Sequence, residues 1–107
     1  MSFERACAVA DLADGTPLAV TVDGVDVAVV RDGDDYYAIY DECSHAAIAL
    51  SEGDVEGCEI ECWLHGSRFD LRTGKPTGLP ATEPVPIYPV QVAGNDLLVD
   101  VHAPAND

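Results

Sequence analysis

Two short segments of the chain each combine one cysteine with one histidine. Cys43 and His45 are separated by one residue and Cys62 and His65 by two, with sixteen residues between the two segments. Each segment can turn on itself and present a thiolate and an imidazole together, which is a signature of a metal site. Ligand type alone leaves two candidates, because sulfur with imidazole nitrogen suits either zinc or an iron–sulfur cluster.

The distribution of these ligands favours one of the two candidates. Zinc sites of this composition usually group two cysteines in one knuckle and two histidines in another, whereas here each segment carries one of each. The mixed arrangement suits a two-iron cluster in which one iron takes both thiolates and the other takes both imidazoles. The spacing therefore favours the cluster, and a zinc-stabilised structural module is the alternative.

The motif C-x-H, sixteen residues, C-x-x-H, followed by Gly-Ser-Arg-Phe-Asp, resembles the cluster-binding motif of Rieske [2Fe–2S] proteins. The likeness covers nearly the whole chain in strand pattern and length, and it is greatest to the small Rieske ferredoxins of bacterial ring-hydroxylating dioxygenase systems. It implies one [2Fe–2S] cluster per chain, with both thiolates on the buried iron and both imidazoles on the outer iron. The cofactor-binding residues that it implies are Cys43, His45, Cys62, His65 and, as a hydrogen-bond donor to a cluster sulfur, Ser67.

Two features of the motif differ from the high-potential respiratory Rieske proteins. Those proteins join their ligand loops by a disulfide, and the matching positions here are Ile48 and Leu64. They also place a tyrosine donor near a cluster sulfur where this chain has Phe69, so the resemblance leaves Ser67 as one donor of two. Hydrogen bonds to sulfur stabilise the more negative, reduced form. We therefore expect a reduction potential near the low end of the Rieske range, about −150 mV, raised slightly by Ser67.

The elements that must position these ligands are predicted to be β-strands. Asp23-Gly24 between two apolar runs is a strong hairpin signal, because both central residues of such a turn take positive φ. Strands over 17–22, 25–31 and 36–40 then form an antiparallel meander that delivers the chain to Cys43. The other predicted strands are 3–9, 58–62, 67–71, 85–92 and 97–101.

The remaining segments connect these strands. Prolines confine the 85–92 strand to a sheet edge or a bulge. Glycines exclude a long helix between the ligand segments, and 46–51 is expected to form one helical turn or a loop. The proline-bearing stretch 76–80 resembles a loop that covers the cluster in Rieske proteins, with a plain connector as the alternative. The tail 103–107 is expected to fray, and His102 is expected to have no role.

Together these elements predict one all-β domain over residues 1–107. By resemblance it is a Rieske-like antiparallel β-sandwich or barrel base domain, from 1–41 and 81–107, with a small cluster-binding β arm at about 42–80. Trp63 lies between the second pair of ligands, where it either packs or contacts a partner. An apolar docking rim around it is predicted from four further residues, Ile48, Leu50, Leu79 and Pro80.

Charge and hydropathy exclude several classes of protein. Twenty acidic and five basic residues give a net charge of −15, which excludes nucleic-acid binding because a phosphate backbone needs a basic face. The acidity serves either solubility or steering toward a basic surface on a redox partner. No apolar run is long enough to cross a membrane or to form a signal peptide, so we expect a cytoplasmic protein. In that compartment Cys7 and Cys58 are expected to be free thiols, with a disulfide between them as the alternative.

The [2Fe–2S] cluster that the resemblance implies predicts a one-electron carrier rather than an enzyme. Non-haem iron oxygenation needs two histidines and a carboxylate, and only His102 is left once His45 and His65 are assigned. The resemblance implies a ferredoxin reductase as electron donor and a terminal oxygenase, such as an aromatic-ring-hydroxylating dioxygenase, as acceptor. The alternative within electron transfer is a Rieske ferredoxin of another pathway, for example one linked to iron–sulfur cluster assembly. A freely diffusing carrier is expected to be a monomer.

Overall fold

The computed structural model describes residues 3–43, 48–63, 66–77 and 83–105. Within these ranges the chain forms ten β-strands in three antiparallel sheets, with short 3-10 turns at Val9–Asp11 and Leu50–Glu52. The strands are β1 (Glu4–Ala8), β2 (Leu18–Val22), β3 (Val25–Asp32), β4 (Asp35–Tyr40), β5 (Val55–Glu56), β6 (Glu59–Glu61), β7 (Arg68–Asp70), β8 (Ile87–Tyr88), β9 (Val90–Ala93) and β10 (Asp96–Val99). The predicted all-β fold is confirmed.

The predicted meander forms the larger base sheet, in the order β2-β3-β4-β8. Asp23 and Gly24 connect β2 to β3 with φ angles of 47° and 79°, as a hairpin with an Asp-Gly turn requires. Strand β4 runs antiparallel to β3 and brings the chain directly to Cys43. This part of the sequence prediction is confirmed.

The second base sheet has the order β1-β10-β9. The predicted 85–92 strand divides at Pro89 into β8 and β9, which lie at the edges of the two different base sheets. Proline has no backbone N–H and is confined to such positions. The expected edge placement is therefore confirmed.

Strand β3 is buried on both of its faces. Val27 and Val29 pack into a cluster between the two base sheets, whereas Ala28 and Val30 pack into a second cluster that contains the arm residues. All four side chains are 0% exposed. Because successive side chains of a strand point to opposite faces, the arm must cover the face of the meander sheet that the second base sheet leaves open.

The arm contains the third sheet, in the order β5-β6-β7. Gly57 and Cys58 connect β5 to β6 with φ angles of 59° and 63°. Cys58 therefore occupies a turn, and the prediction that the strand begins at this residue was wrong by one position. A non-glycine residue with positive φ is uncommon, and cysteine gives no turn signal in a sequence.

The tail is held against the base at least as far as Ala105, which contradicts the expected fraying from residue 103. The N–H of Ala105 donates to the carbonyl of Ile87 at 2.8 Å. The buried carboxylate of Asp100 accepts the N–H of His102 at 3.0 Å, and the imidazole of His102 contacts the Asp23 carboxylate. None of the helical segments in the described part of the chain has the length and apolar character of a membrane span.

Candidate metal centre

The first predicted ligand segment begins at Cys43, shortly after β4. The N–H of Cys43 donates to the carbonyl of Ile48 at 2.9 Å, so these two residues are held against each other. Cys43 is 2% exposed. His45 lies outside the described residues, and its assignment as a ligand stays a prediction.

The second segment begins at Cys62, directly after β6. The N–H of Cys62 donates to the carbonyl of Ser67 at 2.6 Å, and its carbonyl accepts the N–H of Gly66 at 2.9 Å. Gly66 has a φ of 76°, which a residue without a side chain adopts at little cost. These bonds hold Cys62, at the end of β6, against Gly66 and Ser67, which precede β7. His65 and Leu64 lie outside the described residues.

Both cysteines belong to one apolar cluster, although nineteen positions separate them in the sequence. Cys43 and Cys62 are almost completely buried there beside Leu50, Ile60 and Phe69, and neither forms a disulfide. An apolar environment disfavours a bare thiolate unless a cation is bound to it. Two buried thiols presented by two separately closed backbone segments fit a site in which both bind the same buried metal centre.

Two further positions near this centre are also buried, namely the predicted donor to a cluster sulfur and the position at which a second donor is missing. Ser67 and Phe69 are each 0% exposed. The carbonyl of Ser67 closes the second segment, so the position of its Cα is fixed independently of its hydroxyl. The loss of one sulfur donor at Phe69 stays a prediction.

Two residues of the predicted docking rim differ in their exposure, and docking itself stays a prediction. Trp63, next to Cys62, is 52% exposed, whereas Leu50 is 0% exposed and packs beside both cysteines. Leu50 is therefore a core residue and was wrongly placed in the rim, since it is the buried residue of the Leu50–Glu52 3-10 turn. Ile48 is half-buried, and Leu79 and Pro80 lie outside the described residues.

A hydrogen-bonded pair beside the first segment was missed by the sequence interpretation. The Asp41 carboxylate accepts the N–H and the hydroxyl of Ser51, both at 2.7 Å. We call this pair the Asp41–Ser51 clamp. Its partners are ten positions apart, and neither strand alternation nor turn composition relates residues at that distance.

Charged and polar side chains line the outside of the arm. Arg68 on β7 pairs across the sheet with Glu61 at 3.3 Å and Glu59 at 3.9 Å on β6. These pairs are partly exposed and contribute little to stability.

A hydrogen bond with Cys58, together with burial, raises the pKa of Tyr37 to about 12.

Of the remaining cysteines and histidines, Cys7 and His102 lie outside the cysteine cluster, whereas Cys58 is partly buried against it. Cys7 belongs to the cluster between the base sheets and Cys58 to the β5–β6 turn, and both are free thiols, as predicted. The imidazole of His102 comes within 4.8 Å of carboxylate oxygens of Glu4 and Asp23, but all three residues are exposed and lie outside the cysteine cluster.

Comparison with known proteins gives a consistent result. Residues 2–89 match the family described as the Rieske [2Fe-2S] domain. The chain is 43% identical over 97 residues to the 3-phenylpropionate/cinnamic acid dioxygenase ferredoxin subunit of Shigella boydii, covering 90% of this chain and 91% of that one.

Solved structures show the same relationship. The ferredoxin of carbazole 1,9a-dioxygenase from Nocardioides aromaticivorans is 48% identical, with a TM-score of 0.89 over 92% of this chain and 97% of that one. A ferredoxin in complex with the oxygenase of carbazole 1,9a-dioxygenase is 38% identical, with a TM-score of 0.85 and 91% of each chain covered.

Proposed function

Because this chain belongs to the Rieske [2Fe–2S] family, we propose that Cys43, His45, Cys62 and His65 hold its cluster. The chain is a ferredoxin-type electron carrier, as its relatives are named, and its cofactor is a [2Fe–2S] cluster. The observation that supports the ligand assignment best is the burial of both thiols in one apolar cluster, each at a backbone segment that closes on itself. We also propose that residues 1–107 act as one domain, with the arm at about 42–80.

The cluster supplies one-electron chemistry, and with two thiolates and two neutral imidazoles its oxidised form has no net charge, so that it accepts an electron more readily than a four-thiolate cluster. The chain's own residues create the surroundings of that reaction. Leu50, Ile60 and Phe69 exclude water from the cysteine side. We propose that the Ser67 hydroxyl donates a hydrogen bond to a cluster sulfur, which would favour the reduced state. We propose that the electron enters and leaves the cluster on the side that the two histidines would bind.

We propose that the chain takes electrons from a ferredoxin reductase and passes them to a terminal oxygenase such as an aromatic-ring-hydroxylating dioxygenase. A similar ferredoxin in complex with an oxygenase supports this assignment. The exposed indole of Trp63, adjacent to Cys62, offers an apolar contact at the same end of the molecule as the centre. The net charge of −15 suits association with a basic surface. We place the protein in the cytoplasm as a monomer, in keeping with its free thiols.

The ligand assignment is tested by replacing each ligand separately with alanine. We expect wild-type protein to be brown, with two irons and no zinc per chain, and the Cys43, Cys62, His45 and His65 variants to lose that iron. The chain offers matched controls. His102→Ala, Cys7→Ala and Cys58→Ala remove the same donor types outside the proposed set and should keep the cluster. A colourless wild-type protein with one zinc would contradict the proposal.

The partner assignment is tested by reconstituting turnover with candidate reductase and oxygenase chains. We expect oxygenase turnover to require this protein, and the rate of electron transfer at limiting concentrations to fall as salt is raised, because screening weakens charge steering. Reduction by the reductase without delivery to any ring-hydroxylating oxygenase would favour a ferredoxin of another pathway.

A further inference from the structure

We propose that Asp41, Ser51 and Gly53 are positioning residues that fix the first cysteine segment against the second, and so control the retention and the reduction potential of the cluster. This inference rests on the proposed function, because it concerns the cluster that the two segments would share. It adds three residues to the functional set, and none of them is expected to touch the iron.

The Asp41–Ser51 clamp fixes both ends of the segment that contains Cys43. Asp41 precedes Cys43 by two positions, and its carboxylate binds the N–H and the hydroxyl of Ser51, each at 2.7 Å. The N–H of Asp41 also donates to the carbonyl of Asp26 at 3.0 Å. The clamp therefore lies outside the Cys43–Ile48 bond and attaches the segment to β3 of the base.

Gly53 brings the end of that segment into contact with the strand that carries the second cysteine. Its φ of −92° is available to any residue, so space and not conformation requires glycine here. A Cβ at this position would lie 1.6 Å from the carbonyl oxygen and 2.9 Å from the carbonyl carbon of Glu61. Glu61 directly precedes Cys62. The atoms in the way belong to backbone, so a side chain at residue 53 must push the two segments apart.

These contacts form a continuous path between the two cysteines. It runs from Cys43 through the Asp41–Ser51 clamp to Gly53, and from there to Glu61 and Cys62. The N–H of Glu61 donates to the carbonyl of Asp54 at 2.8 Å, which secures the last step of the path. Ligands of a metal centre must be held to within about 0.5 Å of their working geometry. A side chain at residue 53 would displace the backbone by more than this, because its Cβ would lie only 1.6 Å from the Glu61 carbonyl oxygen.

The test compares variants of this path with controls of the same chemical type. Gly53→Ala separates the segments, and Asp41→Ala removes the clamp. Asp41→Asn is the conservative variant, because its amide oxygen can accept the Ser51 N–H while its NH2 group donates to the hydroxyl. Gly94→Ala is the glycine control, since Gly94 has a φ of 64° and open space around it. Asp14→Ala is the carboxylate control, since Asp14 accepts the Gly33 N–H at 2.9 Å in the base.

The readouts are the EPR g-values of the reduced protein, the reduction potential by protein-film voltammetry, and the rate of cluster loss to a chelator. We expect loss to be about tenfold faster in Asp41→Ala, as removal of a hydrogen-bonded charge implies, and faster still in Gly53→Ala, with altered g-values and potentials in both. Asp41→Asn should lie within about twofold of wild type, because it keeps both bonds. Gly94→Ala should lower the melting temperature without changing the g-values or the potential.

Two outcomes would overturn the inference. One is wild-type g-values, potential and loss rate in Gly53→Ala and Asp41→Ala. The other is cluster loss in these variants that merely follows global stability, as judged by Gly94→Ala and Asp14→Ala. If Gly53→Ala does not fold, Asp41→Ala and Ser51→Ala decide the question. A wild-type protein without a two-iron spectrum would instead refute the proposed function.

Discussion

Removal of the Ser67 hydroxyl is expected to lower the reduction potential by about 40 mV. Ser67 is 0% exposed, so water cannot replace its hydroxyl as a donor after substitution by alanine. A buried hydrogen bond contributes about 1 kcal/mol to stability. We assign that amount to the difference between the reduced and oxidised states. For one electron, a tenfold change in the equilibrium constant is about 59 mV and about 1.4 kcal/mol, which gives the expected shift.

The structure allows this substitution to isolate the hydroxyl. Closure of the second segment uses the Ser67 carbonyl, which accepts the Cys62 N–H at 2.6 Å, and alanine keeps that bond. Protein-film voltammetry of wild type and Ser67→Ala at the same pH measures the shift. Thr21→Val is the control, because it removes an exposed hydroxyl that donates to Asp26 in the base, at 3.2 Å, and should leave the potential unchanged.

A potential in Ser67→Ala within about 10 mV of wild type would show that no donated bond of the assumed strength reaches the cluster. A wild-type potential above about +100 mV would refute the wider argument, since a centre with one donor should lie near the low end of the Rieske range.

Three further predictions concern the core, the Tyr37–Cys58 contact and the exposed tip. Phe69→Ala and Leu97→Ala each remove a fully buried side chain and should lower the free energy of unfolding by about 3–5 and about 2–5 kcal/mol, respectively. Only Phe69→Ala, in the cysteine cluster, should also bleach the visible spectrum under native conditions, and equal bleaching in both would contradict two separate cores. A hydrogen bond with Cys58 raises the pKa of Tyr37 to about 12. The contribution of the protonated phenol to the free energy of unfolding is therefore complete below about pH 10 and is lost as the pH rises through about 12. Cys58→Ala should lower that pKa, as followed by NMR of 13C-labelled tyrosine, and an unchanged titration would refute the contact. Trp63→Ala should weaken binding to the oxygenase about tenfold or more without changing the reduction potential, because a tryptophan that becomes buried in an interface dominates its binding energy. Unchanged binding would show that the indole only shields the cluster.

The elements that sequence predicted correctly are those with a strong local signal. Asp23-Gly24 has the composition of one turn type, and the apolar runs on either side of it pair as a hairpin. The prolines of 85–92 forbid an interior strand, and β8 and β9 lie at sheet edges. Cys43 and Cys62 were identified from spacing, and their common burial agrees with that prediction without testing the bound metal.

The features that sequence did not reveal depend on contacts between distant residues. Cys58 adopts a positive φ because the β5–β6 hairpin needs a two-residue turn there, although cysteine has no preference for one. Leu50 was assigned to an apolar docking rim, but it is the buried residue of a single 3-10 turn, and no local pattern shows which side of such a turn faces the core. The backbone bond from the Ala105 N–H to the Ile87 carbonyl helps to hold the tail, and no local pattern encodes it.

The position of the arm explains why so small a sheet can present two metal ligands. Strands of two or three residues, such as β5, β6 and β7, are too short to be stable alone. They are supported because β3 is buried on both faces, so that Ala28 and Val30 of the base share a core with both cysteines. The residues that would bind the cluster on its buried side are thus also core residues of the arm. Cluster retention and arm packing should therefore be coupled. At Gly53 the end of the first cysteine segment contacts the backbone of Glu61, next to Cys62, with no side chain between them.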